Sequence, residues 1–136
     1  MSSNLLNELV LYLRLAQAFE KQLQMPDRDR ALVLAGSAAG LLKLRPIAGF
    51  CRELILRNNQ GHMVRRWPDF ETALKEDDFH VFLKQIARRL SVERAEAALR
   101  EMRYECDVKQ TDYPTDLEYV SAVMGVDPNW LEKNFN

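Results

Sequence analysis

Cysteine is scarce. Cys51 and Cys106 are the only two in 136 residues, so a disulfide framework is not indicated. No Cys-x-x-Cys or Cys/His spacing points to zinc. Histidine is equally scarce, with only His62 and His80. A serine or cysteine nucleophile would therefore have few bases to work with, and no Gly-x-Ser-x-Gly elbow occurs. Five glycines and five prolines leave little room for linker or low-complexity sequence. A basic region followed by an apolar run and a cleavage site is lacking at the N-terminus, so secretion is not expected. The longest charge-free apolar stretch, residues 31–42, is too short to span a bilayer. These absences point to a cytoplasmic protein without membrane segment, metal or cofactor, and without catalysis of its own.

What is present is helical periodicity. The expected fold is all-α: one compact domain over residues 1–136, built as a bundle of about six to eight helices and ending in a short helical hairpin. The first helix is expected over residues 3–24, capped by Ser2 or Ser3. Leu5, Leu9, Tyr12, Leu13, Ala16, Phe19 and Leu23 form its main apolar face. Leu11, Leu15 and Ala18 lie outside that face, so the helix must be covered on more than one side. Either the rest of the bundle or a second copy of the chain supplies that cover, which makes these three residues candidates for self-association.

Residues 27–44 make a second helical region containing "GSAAG", Gly36 to Gly40. Glycines four apart inside a helix serve close approach of another backbone; alternatively, Gly36 ends one helix and Ser37 begins the next. A phosphate-binding loop is excluded, because neither a preceding strand nor a Gly-Lys-Ser/Thr ending is present. Pro46 opens a third helix, on which Ile47, Phe50, Cys51 and Leu54 repeat with helical spacing. Gly61 is available as a left-handed cap after it. Two or three helices follow over residues 69–103, the first opened by Trp67-Pro68-Asp69. Residues 104–109 alternate apolar and polar, which suits either a short strand or an extended connection packing Tyr104, Cys106 and Val108 on the bundle. Thr115 and Glu118 form a capping box. Gly125, Asp127 and Pro128 then end one helix and start the last.

The net charge of −1 hides an uneven layout. Residues 43–66 carry Lys43, Arg45, Arg52, Arg57, Arg65 and Arg66 against Glu53 alone. Residues 67–83 carry Asp69, Glu71, Glu76, Asp77 and Asp78 against Lys75 alone. Exposed, such blocks favour self-association or a charged partner.

Three constellations carry chemical possibilities. Glu76, Asp77 and Asp78 with His80 have helical spacing for a shared metal, but the third or fourth ligand is missing; an acidic helix start with a solvated histidine accounts for them better. Arg45, Arg52, Arg57, Arg65 and Arg66, with His62 and Trp67, suit an anionic partner such as nucleic acid. Against this, Arg65 and Arg66 can pair with the acidic helix that follows, with Trp67 in the core. The terminal stretch "VMGVDPNWLEKNF" has the look of a helix-turn-helix, yet its last helix offers only Lys133, Asn129 and Asn134 to a nucleic acid. The leading expectation is a small non-catalytic module for protein–protein interaction or self-association. The alternative is a nucleic-acid-binding or regulatory protein using residues 43–66.

Overall fold

The computed structural model describes residues 2–135, with side chains from residue 4 onward. The proposed cap at Ser2 or Ser3 lies outside the described side chains. Eight α-helices and no strand occur among the described residues: α1 Ser2–Lys21, α2 Met25–Leu41, α3 Arg45–Asn58, α4 Phe70–Ala73, α5 Asp77–Arg89, α6 Val92–Met102, α7 Asp116–Met124 and α8 Pro128–Phe135.

α1 and α2 form the centre. From Leu5 to Phe19 every residue of α1 except Asn7 is buried or half-buried, and α2 is buried on all sides from Ala31 to Gly40. α2 packs against one side of α1, while α6 and α7 cover the other; α3, α4 and α5 enclose α2, and α8 lies on α3. Tyr12 of α1 ties in the end of α5 by donating its hydroxyl to the Leu90 carbonyl at 2.8 Å. Burial pushes this phenol up to about 12, as removal from water disfavours the anion.

This arrangement corrects the self-association stripe. Leu15 is 0% exposed and Ala18 is 2% exposed, so neither can reach a second copy. Only Leu11 stays half-exposed. The wide apolar arc of α1 is covered from within, by α2 on one side and by α6 and α7, distant in sequence, on the other.

α2 runs unbroken through Gly36 and Gly40. Of the two uses open to these glycines, close approach is the one realised. A Cβ on Gly36 would overlap the Phe70 ring, and one on Gly40 would meet Leu74 Cδ1 at 3.3 Å and the Glu71 backbone nitrogen at 3.6 Å. The glycines thus let α4 lie directly on α2.

The helix ends follow sequence signals unevenly. Thr115 caps α7, accepting a hydrogen bond from the Glu118 amide at 3.1 Å, and its hydroxyl donates to the Glu118 carboxylate at 2.9 Å, so the two box residues meet through their side chains. Asp69 caps α4, accepting from the Thr72 amide at 2.7 Å, and Pro68 stands before that cap rather than in the helix. Gly125 takes a left-handed φ of 73° at the end of α7. Gly61 does not: positive φ among non-glycines is found at Leu23, Lys43 and Arg103, which end α1, α2 and α6. α3 instead ends with Asn59 extended, its side-chain oxygen accepting from the Gly61 amide. Residues 104–109 are an extended connection, with Tyr104, Cys106 and Val108 half-buried and their neighbours exposed.

Candidate functional site

The turn between α1 and α2 builds the most unusual site in the molecule. Leu23 in the left-handed region reverses the chain, and the Gln24 amide returns to the Phe19 carbonyl at 2.9 Å. Pro26 is tolerated in the first turn of α2, where an amide would lack a partner anyway. The reversal places Arg28 beside Glu20. Arg28 and Asp29 are only 5% and 4% exposed, unusual for charged residues. The Nε and Nη2 of Arg28 donate to Asp29 Oδ1 at 3.2 and 3.1 Å, and Nη2 also donates to the Leu54 carbonyl of α3 at 2.7 Å. Nη1 donates to Glu20 Oε1. The other Asp29 oxygen accepts from Asn58 Nδ2 at 2.9 Å. One guanidinium therefore binds three helices together, with both charges compensated as burial demands.

Arg28 forms the polar side of a cleft of about 220 Å³. Leu13 and Ala16 of α1, Leu32 of α2, Phe50 and Leu54 of α3, and Met124 and Val126 at the end of α7 supply its apolar lining; Gln17 and Glu20 complete it. Gln17 is fixed by donating to the Val123 carbonyl and accepting from the Tyr104 hydroxyl, both at 2.9 Å. The aromatic wall continues outward. Phe50 makes an edge contact with Trp130, their centroids 5.5 Å apart, and Trp130 is 41% exposed. Phe135 packs against both rings, and its Cβ sits close over Gly49. Leu131, fully buried, anchors α8 beneath them.

Sequence reasoning assigned neither Arg28 nor Asp29 a role. A signal was present: α2 carries no charge after Arg30, so a helix buried on every side from Ala31 brings its neighbouring charges to the edge of the core.

The basic region is dispersed among local partners. Arg45 Nε reaches Glu71 at 2.7 Å, and Lys43 reaches the other oxygen of the same carboxylate at 3.2 Å. The two cations hold the Glu71 carboxyl below its ordinary range. Arg57 pairs with Glu53 one helical turn away at 3.3 Å. Arg66 pairs with Asp78 at 3.2 Å and lies over the Trp67 ring. Arg52 donates to the Trp67 carbonyl and Arg65 to the Gln60 carbonyl. Trp67 is 7% exposed and packs edge-on against Phe79, so it offers no open face for a base. Arg45 and Arg52 do share one groove, but Glu53, Asp69 and Glu71 line it too.

The histidines and cysteines occupy separate places. His62 Nδ1 accepts from the Val64 amide at 3.1 Å. Burial draws its pKa below the usual histidine value, partly opposed by Asp29. His80 faces the Leu74 carbonyl. Burial pushes the Cys51 thiol up to about 12, far from a reactive thiolate. Among the described residues, no group of three or more His, Cys, Asp or Glu side chains is placed to hold a metal ion. No helix among them is long and apolar enough to cross a membrane.

The fold and cleft thus define an all-helical protein built on a central α1–α2 pair. Compared with protein-family models, curated proteins and solved structures, the chain matches none of them.

Proposed function

We propose that this protein is a small non-catalytic interaction module, and that a protein partner docks in the cleft between α1, α3 and the α7–α8 turn. The observation that carries this reading is the cleft itself. An apolar lining from four helices stays open to solvent beside a partly exposed tryptophan, the kind of anchor that dominates protein interfaces. Its volume lies below the range usual for drug-sized ligands, so it suits an inserted side chain better than a metabolite. The two free cysteines, Cys51 and Cys106, favour the cytoplasm as its compartment. A second copy as partner has lost its original support, since Leu15 and Ala18 belong to the core. The nucleic-acid alternative has lost support too, since Arg45, Arg57 and Arg66 already hold carboxylates.

The test is peptide display on the wild-type protein followed by counter-screening on Val126→Trp, which fills the mouth of the cleft from a half-exposed turn. Selected peptides should bind the variant about tenfold more weakly, with its melting temperature unchanged. Peptides indifferent to the substitution would sink the reading.

A further inference from the structure

We infer that the cleft recognises the C-terminal residue of its partner: an apolar side chain enters the cavity while the terminal carboxylate displaces Glu20 from Arg28. The inference rests on the docking reading above and names the partner's chemistry. The two carboxylates that compensate Arg28 are not equivalent. The Asp29 side chain is 5% exposed and held by Asn58 as well, whereas the Glu20 side chain is 57% exposed. Asp29 is a built-in counter-ion. Glu20 reaches inward from the surface, so on leaving Arg28 its carboxylate regains water, and the incoming carboxylate takes over its charge-assisted bond. Arg28 cannot follow it, being pinned by Asp29 and the Leu54 carbonyl. Glu20 therefore marks where an incoming carboxylate would sit, and the exchange leaves the charge of the site unchanged.

The size of the cleft selects the kind of carboxylate. The cavity of about 220 Å³ is smaller than the clefts that enclose drug-sized ligands. It must hold the anion beside Arg28 and the apolar group against Leu32, Phe50 and Met124. An internal glutamate fills the space with its own stem, and in an extended segment its apolar neighbour points the opposite way. Within a polypeptide, the last residue carries both groups on one Cα. Backbone and side-chain capture of a terminal carboxylate is an established mode of peptide recognition, and a charge-assisted bond to arginine is among the stronger contacts available.

The experiment titrates the 136-residue chain with three peptides and follows the Arg28 Nε–H and the methyls of Leu32 and Leu54 by NMR. They are acetyl-Ala-Ala-Leu with a free C-terminus, the same peptide as its amide, and acetyl-Ala-Glu-Leu-Ala as its amide. The free acid should shift these signals at millimolar concentration, and both amides should bind about tenfold more weakly. Glu20→Gln, which removes the competing carboxylate, should tighten the free acid severalfold and leave the amides unchanged. Equal binding of acid and amide, or no binding of the acid, overturns the inference. If display-selected peptides still depend on Val126 in that case, docking in the cleft stands and only the terminal-carboxylate anchor falls. If nothing depends on Val126, both fall.

Discussion

Arg28 and Asp29 are neighbours in sequence and each other's principal counter-charge in the core, with two guanidinium nitrogens on one carboxylate oxygen. A helix does not normally turn adjacent side chains toward each other. Here both side chains are buried against α3, where Arg28 meets the Leu54 carbonyl and Asp29 meets Asn58, while Pro26 and Asp27 keep the solvent side of the turn. Removing one partner strands the other. Arg28→Ala should cost about 3–5 kcal/mol of unfolding free energy in urea titration. The double change Arg28→Met with Asp29→Leu should recover most of that loss, because no buried charge is left uncompensated.

Gly36→Ala is expected to reverse the ordinary helix preference. In a helix interior alanine gains about 1 kcal/mol over glycine, but here the new methyl overlaps the Phe70 ring, and overpacking typically costs about 1–3 kcal/mol. The variant should melt below the wild type. Adding Phe70→Leu should remove part of the penalty, and additivity of the two changes would contradict the contact.

Leu23→Gly should stabilise the protein. Leu23 has φ of 60° and is 84% exposed, so it bears left-handed strain with almost no packing to lose. Relief of that strain, less the entropy of an added glycine, leaves about 0.5–1 kcal/mol. Gly125→Ala is the mirror experiment. It has open space around it and φ of 73°, so the loss of about 1 kcal/mol should come from backbone conformation alone.

Leu11 and Leu15 separate core from surface on one helix. Leu15→Ala should cost about 2–5 kcal/mol, whereas Leu11→Gln should cost about 1 kcal/mol or less. Neither should change the sedimentation coefficient of the folded protein. A shift toward smaller species with Leu11→Gln would restore self-association through this helix.

His62 sets an acid-side stability slope. Its folded pKa lies below the ordinary histidine value because burial disfavours the cation, and its Nδ1 accepts from the Val64 amide. The unfolded chain therefore binds the proton first. Stability is complete above the unfolded pKa of about 6.5 and falls as pH drops from there toward the folded pKa. His62→Asn should flatten this slope in denaturation series between pH 7.5 and 5.5. Glu71 and Asp69, whose carboxyls are held below their ordinary range by Lys43 and Arg45 and by the Thr72 amide, act lower. Their stabilisation is lost only as pH falls through the carboxylate range.

The helical elements were legible because their signals are local. Spacing of Ile47, Phe50, Cys51 and Leu54 placed α3, and the Thr115–Glu118 box and Gly125–Asp127–Pro128 placed the ends of α7 and α8. The alternation of residues 104–109 correctly located the half-buried side chains, although no neighbouring strand exists to pair with them. Three of the four left-handed helix ends were invisible, because Leu23, Lys43 and Arg103 lack the glycine that normally announces one. All three side chains are exposed, and backbone bonds close the turns instead, with the amides of Gln24, Leu44 and Tyr104 returning to the carbonyls of Phe19, Ala39 and Leu99.

The candidate site divides along the same line. From its sequence alone this chain is committed to helices and to a first helix covered on several sides, with close approach at Gly36 and Gly40 left as one of two readings. These follow from side-chain period, from the missing Cβ, and from the absence of any wide polar face. Which bodies supply the cover was settled only in three dimensions, where α2, α6 and α7 pack on α1 and Leu15 and Ala18 lie in the core. Tertiary structure also decided the fate of the charges. Whether Arg45 and Arg66 stay free or meet Glu71 and Asp78, and whether Arg28 points to water or into a cleft, depends on distances between segments far apart in the chain. No local pattern encodes those distances, because they arise from how the helices pack.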